Sequence, residues 1–173
     1  MKWRVWLVPL GALVLVVVVI AVYAGLYFLA RPTAQVALGT PIRQDDFTYT
    51  VVHAAKAQTL VVNGRSIRAR GSFYIVTVRL DNNAVRVPFE WRDDIAQLVD
   101  AHGNKYRVDT NALGSAPAYE RERSVPAGQN ASFMLVFDVP KTIEQPLLVF
   151  DNGIMMGDAF NFVAYRRMGV VMP

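Results

Sequence analysis

Hydrophobic and polar positions divide this chain into two unlike parts. From Val5 to Ala30 there are 26 consecutive residues without a charge, and 23 of them are apolar. No polar face recurs at helical spacing, so a helix here is hydrophobic all round and belongs in a bilayer rather than in water. At about 1.5 Å per residue it reaches about 39 Å, enough to cross a hydrocarbon core of about 30 Å with some tilt. Lys2 and Arg4 precede the stretch, Arg31-Pro32 close it, and Trp3, Trp6, Tyr23, Tyr27 and Phe28 lie toward its ends, where aromatic rings favour the headgroup region.

The alternative is a cleaved signal peptide, which has an apolar stretch of about 7–15 residues followed by a small-residue cleavage site. The stretch here is much longer, and the one tolerable site, after Ala24, is followed by more apolar residues. The expectation is an uncleaved single-pass signal anchor over residues 1–32, its short basic tail cytoplasmic and the remainder outside. Ala21 and Gly25 form a small-xxx-small pair that offers a seat for a second helix and so for a homodimer.

Beyond residue 32 the period changes to two. Phe47–Val52 alternates apolar residues with Thr, Thr59–Val62 runs into the turn dipeptide Asn63-Gly64, and Gly71–Leu80 sets Tyr74, Val76, Val78 and Leu80 on one face with Phe73 and Ile75 on the other. A strand with apolar residues on both faces is central. Val85–Phe89 reads as a strand that Pro88 confines to an edge or an end. Ile95–Val99 and Lys105–Val108 flank Asp100–Asn104, a hairpin in which Gly103 supplies a positive φ. Ala131–Val139, Leu147–Phe150 and Phe160–Tyr165 complete the set, and Asp109–Arg123 has room for a single helical turn. Short strands at this spacing predict an all-β sandwich over residues 46–173, joined to the anchor by a linker over 33–45. The apolar end Met168–Pro173 reads as packing on the sandwich, following Phe160, Phe162 and Tyr165.

Composition sharpens this division. The 173 residues carry 18 Lys+Arg against 14 Asp+Glu, a net charge of +4. Residues 33–173 keep 15 of the basic and all 14 of the acidic groups, a net of +1, and their apolar fraction is ordinary. Nucleic acid is therefore not an expected partner, since a phosphate-binding domain normally carries a much larger positive charge. The absence of cysteine excludes a disulfide scaffold, a thiolate zinc site, a cysteine nucleophile and lipidation at an N-terminal Cys.

The ordered series Gly71–Asn82, Leu98–Tyr106, Val125–Gly128 and Leu135–Pro140 resembles the telokin-like, immunoglobulin-like extracellular domain family of bacterial lipoproteins and secreted antigens of the immunoprotective extracellular protein type. The resemblance spans about residues 44–152. It implies an immunoglobulin-like β-sandwich in an extracytoplasmic setting of the cell envelope, and it brings no catalytic or ligand-binding residues. Lipoprotein members are tethered by a lipidated cysteine; here a helix would take that part.

Chemistry-bearing residues are sparse. His53 and His102 are the only histidines, one at a strand end and one in a turn, and no Gly-x-Ser-x-Gly elbow is present. Asp100, His102 and Asn104 alternate through the hairpin, but Asp and Asn in tight turns ordinarily bond their own backbone. Asp93 and Asp94 are adjacent, and adjacent strand residues point opposite ways. Glu120–Arg123 alternates in sign, as a solvated loop does, and Asn130-Ala131-Ser132 is a glycosylation sequon whose meaning depends on the secretory pathway. The expected function is a non-enzymatic interaction or scaffold module tethered at the cell envelope, without metal or other cofactor. Its expected partner is a protein of the envelope. The alternative is an envelope sensor of a small molecule, lipid headgroup or metal. Candidate surface residues are Arg65, Arg68 and Arg70 between two strands, Trp91 after the Val85–Phe89 segment, and Tyr119, Arg121 and Arg123 in the long loop.

Overall fold

The computed structural model describes residues 13–23, 25, 34–62, 64–113, 123–150 and 168–173. The chain divides into two compact units, Met1–Pro32 and Thr33–Pro173. In the first, residues 13–23 are helical and exposed throughout. Among the described residues no helix is long and apolar enough to cross a membrane. Eleven helical residues reach only about 16 Å, and most of the rest of the expected span lies outside the described residues.

The second unit is a β-sandwich. Strands β1 (Ala34–Val36), β6 (Ala96–Val99), β7 (Lys105–Arg107), β10 (Leu147–Phe150) and β11 (Met168–Val171) form one sheet in the order β1-β11-β10-β6-β7. Strands β2 (Ile42–Gln44), β3 (Phe47–Val62), β4 (Arg65–Asn82) and β9 (Asn130–Val139) form the other, in that order. Among the described residues a two-stranded ribbon of β5 (Phe89–Glu90) and β8 (Ser124–Val125) completes the set.

The alternation read from β4 is realised. Tyr74, Val76, Val78 and Leu80 enter the core between the sheets with Tyr49, Val51, Leu135 and Phe137, opposed by Leu98, Leu148, Phe150 and Val170. Tyr49 stacks on Phe150 across the gap at 4.8 Å. The opposite face of β4 and β9 places Phe73 and Val136 in a second apolar cluster, capped by Ala112 from the short helix Thr110–Leu113. β4 is thus buried on both faces between β3 and β9, as a central strand.

Several expectations need correcting. Of the expected linker over 33–45, residues 34–44 hold two strands: β1 pairs in parallel with β11, β2 pairs with β3, and Ile42 is wholly buried. The apolar side chains Val36 and Ile42 join the core, and that gain outweighs the turn signals around Gly39 and Pro41. Phe47–Val52 and Thr59–Val62 are one strand, because the ladder with β4 carries the polar and Ala-rich stretch between them, with irregularities at Val51/His53 and Ala57/Thr59. Val85–Phe89 is not a strand; only Phe89 and Glu90 pair, and the preceding residues form a bend. The expected strand Phe160–Tyr165 lies outside the described residues.

Other local readings hold. Gly64 and Gly103 have φ of 75° and 82° at their turns, and a short helix occupies part of Asp109–Arg123. The C-terminal tail packs: β11 lies between β1 and β10, Met172 is buried, and the Tyr74 hydroxyl donates to the Pro173 backbone oxygen at 2.7 Å.

Candidate interaction surface

β3 and β4 are much longer than the other strands, and this creates the most distinctive surface of the sandwich. The β4–β9 ladder ends at Ser72 opposite Val139, while the β3–β4 hairpin continues through Thr59–Val62 and Arg65–Arg68 to the turn at residue 64. Beyond the end of β9 the hairpin is a two-stranded arm. One face is anchored: Leu60, Ile67 and Ala69 pack with Phe73, Ala112 and Val136. The other face carries the cross-strand pairs Thr59–Arg68 and Val61–Ser66, with Val61 72% exposed.

The base of the arm is a bulge with a built-in cradle. Between the pairs Ala57–Phe73 and Thr59–Arg68, β3 has one residue and β4 has four, Ala69 to Ser72. Such an insertion takes backbone groups out of the ladder. The Asp138 carboxylate, on the neighbouring strand, accepts the backbone N–H groups of Arg70 at 3.0 Å and Gly71 at 3.1 Å, and Arg70 Nε at 3.2 Å. Burial pushes this carboxyl up, and the hydrogen bonds from Arg70 and Gly71 with the Arg70 charge outweigh it, so Asp138 stays ionised to below the usual carboxylate range. Gly71 has no alternative here: a Cβ would lie 2.1 Å from the Val139 carbonyl oxygen.

The three arginines therefore do not act as one patch. All are exposed, but Arg70 is committed to Asp138. Alternation along β4 places Arg65 on the side of Ile67, opposite Arg68. Arg68 stands with Val61 and Ser66 on the open face, and among the described residues Arg65 and Arg68 form no ion pair.

Trp91 is not a surface residue. It is 3% exposed, stacks on Phe133 at 4.2 Å, and donates its indole N–H to Asp93 at 3.2 Å. Its ring is part of the core between the sheets, and its N–H has a polar partner. Arg123 is likewise withdrawn: its guanidinium pairs with Asp93, both side chains largely buried, and its carbonyl accepts the Trp91 backbone N–H at 2.9 Å. Sequence reading took Arg123 for part of a solvated alternating run because its partner, thirty residues away, is visible only in the fold. Tyr119 and Arg121 lie outside the described residues, as does Ala24 between Ala21 and Gly25 in the first unit.

The remaining candidates have local explanations. Asp94 pairs with Arg92 while Asp93 serves Trp91 and Arg123, so the two carboxylates have separate partners. Asp100 accepts the backbone N–H groups of His102 and Asn104, the Asn104 side-chain amide and the Tyr106 hydroxyl. These bonds, the Asn104 side chain foremost, lower its pKa. Asp100 is thus occupied in shaping its turn. His53 and His102 are both exposed.

A site that sequence reading missed lies at the opposite end of β4 from the arm. The side chain of Asn82, 1% exposed, donates to the carbonyls of Val87 and Val125 at 2.9 Å each and accepts the Ala84 N–H at 3.0 Å. It pins both limbs of the 83–88 loop. Within the run Asp81-Asn82-Asn83 nothing local distinguishes the buried Asn from its neighbours.

Neither a protein-family model nor a curated protein matches this chain. Solved structures do. The secreted protein MPT63 from Mycobacterium tuberculosis is 16% identical, with TM-score 0.54, over 82% of this chain and 98% of that one. The yjhA protein from Bacillus subtilis is 15% identical, with TM-score 0.58, over 79% and 99%. An uncharacterized β-sandwich protein from Clostridium difficile is 12% identical, with TM-score 0.52, over 83% and 97%. The likeness is one of fold. At these identities it places the second unit among such β-sandwich proteins and transfers no site.

Proposed function

We propose that this protein is a non-enzymatic, extracytoplasmic β-sandwich of immunoglobulin-like type, held at the membrane by its N-terminal helix and acting as an interaction module of the envelope. The observation that carries the reading is the arm: a hairpin prolonged past its neighbouring strand, one face fastened to the domain by Leu60 and Ile67 and the other presenting Val61 and Arg68. A two-stranded extension gains little stability from an open face, whereas a partner strand or apolar patch finds there both backbone groups and an exposed valine.

Two further facts support the setting. Residues 13–23 form an entirely apolar helix exposed on all sides, a surface that water does not favour and a bilayer does. MPT63, which shares the fold, is a secreted protein.

The test uses the absence of cysteine. Single-cysteine variants Val61→Cys and Arg68→Cys of the full chain, carrying a photo-crosslinker, are irradiated in native membranes. The expected result is a discrete protein adduct, found again with purified partner and lost when Arg68→Glu accompanies a label at Val61. Absence of any adduct, or adducts indifferent to Arg68→Glu, overturns the reading of the arm.

A further inference from the structure

We infer that the loop Asn83–Pro88 docks on the bilayer interface, with Val85 and Val87 entering among the lipid headgroups and acyl ends. The inference rests on reading residues 5–30 as the membrane anchor. Val85 is 88% exposed and Val87 60%, with exposed Arg86 between them. Two apolar side chains at a loop tip are common enough singly; here the loop is also held rigid beneath them. Asn82 pins Ala84, Val87 and Val125, Asn83 N–H donates to the Asp46 carbonyl at 2.8 Å, and the Asn83 side chain donates to Thr48 Oγ1 at 3.2 Å. Ala84 is buried at the base. The valines are presented on a pedestal, so little ordering entropy opposes their transfer to a second medium.

The topology of the second unit puts this loop at the end where the chain arrives from residue 33. Ala34 pairs with Met168, the start of β11, and β11 runs from there toward Pro173, which lies against the Tyr74 hydroxyl near the arm. β10 runs the opposite way and ends at Phe150, which stacks on Tyr49; Tyr49 in turn contacts Phe89, the residue after Pro88. Ala34 and the 83–88 loop therefore share one end of the sandwich, and the arm occupies the other. Only residues 31–33 separate the apolar stretch from Ala34. Fully extended, the steps from Ala30 to Ala34 span about 14 Å. Covalent reach alone thus limits how far Ala34 can lie from a bilayer that holds residues 5–30, and a contact too weak to recruit a free protein is effective when intramolecular.

Charge does not drive the contact. The turn between β2 and β3 meets the loop through the Asn83–Asp46 backbone hydrogen bond, and this end carries exposed Asp45 and Asp46 with exposed Arg43 and Arg86, two charges of each sign. Docking is apolar insertion, equal on zwitterionic and anionic lipid and insensitive to salt.

The full chain, as the single-cysteine variants Val85→Cys, Val61→Cys and Val17→Cys with an environment-sensitive fluorophore, is reconstituted into phosphatidylcholine vesicles with or without nitroxide-labelled lipid. The expected result is that the probes at 17 and 85 shift to the blue and lose most of their emission to the nitroxide, while the probe at 61 does neither. Val87→Asp should release the probe at 85, and exchange of phosphatidylcholine for phosphatidylglycerol should leave it unchanged. A quenched probe at 17 with an unquenched one at 85 overturns the docking and leaves the anchor standing. An unquenched probe at 17 overturns the anchor, and the docking with it. A probe at 85 shielded from aqueous quencher but untouched by lipid nitroxide replaces the bilayer with a protein cover.

Discussion

The carboxylate of Asp138 accepts the backbone N–H of Gly71 at 3.1 Å, and the two residues together form the base of the β3–β4 arm. Gly71 lets the bulged strand approach the Val139 carbonyl, and Asp138 takes up the backbone donors that the bulge frees. Each half of this arrangement makes a separate prediction.

Gly71→Ala forces a Cβ toward the Val139 carbonyl oxygen, a backbone atom that cannot swing aside as a flexible side chain does. The expected cost is about 2–3 kcal/mol, in the range of overpacked cores. A urea titration followed by circular dichroism would show it as a lower midpoint with an unchanged slope.

Asp138 contributes through its ionised form. Its folded pKa lies below the unfolded value of about 3.9, so its stabilisation is complete above that value and disappears as pH falls through the folded pKa. Asp138→Asn should cost about 1–3 kcal/mol at neutral pH, since an amide oxygen replaces a charged acceptor of three N–H groups. The gap between wild type and variant should narrow as pH falls below about 4. Asp94 and Asp100 are lowered in the same direction and remain in both proteins, so the variant keeps part of the acid dependence. A constant gap across the pH series would contradict the assignment.

Asn82 acts as donor and acceptor at once. Asn82→Asp keeps the shape and removes the two N–H donors to Val87 and Val125. It should cost more than Asn82→Ala, because it also places a carboxylate against two carbonyl oxygens in a dry site. Both variants should speed amide hydrogen exchange at residues 84–88 well beyond the change at β9. Equal exchange in wild type and variants would show the loop to be held by other contacts.

Trp91→Ala removes a ring stacked on Phe133 and leaves Asp93 without the indole donor. A loss of about 3–5 kcal/mol is expected, typical of large aromatic side chains in cores. A surface position would give a change within about 0.5 kcal/mol, and denaturation of the variant in the same titration separates the two.

Much of the sandwich was legible in the chain. Period-two alternation in Gly71–Leu80 and Ala131–Val139 names the residues facing the core, because neighbouring side chains on a strand take opposite faces whatever the partner. Turn chemistry at Gly64 and Gly103 is equally local. Where two distant segments decide the matter, local reading stops. Trp91 and Arg123 looked solvent-facing since Phe133 and Asp93, their partners, are far off in sequence. Likewise β1 and β2 arose within an apparent linker, since β11 and β3 supply the pairing.

By itself, then, the sequence determined an all-apolar stretch beside a β-domain of ordinary composition, because hydrophobic period and charge placement are properties of consecutive residues. Only the tertiary structure decided which arginines stay open, which tryptophan is core, and that Asn82 pins the loop carrying two exposed valines at the end where β1 begins. Those outcomes depend on burial and hydrogen bonding between strands distant in the chain, and residue order alone does not state which strands will meet.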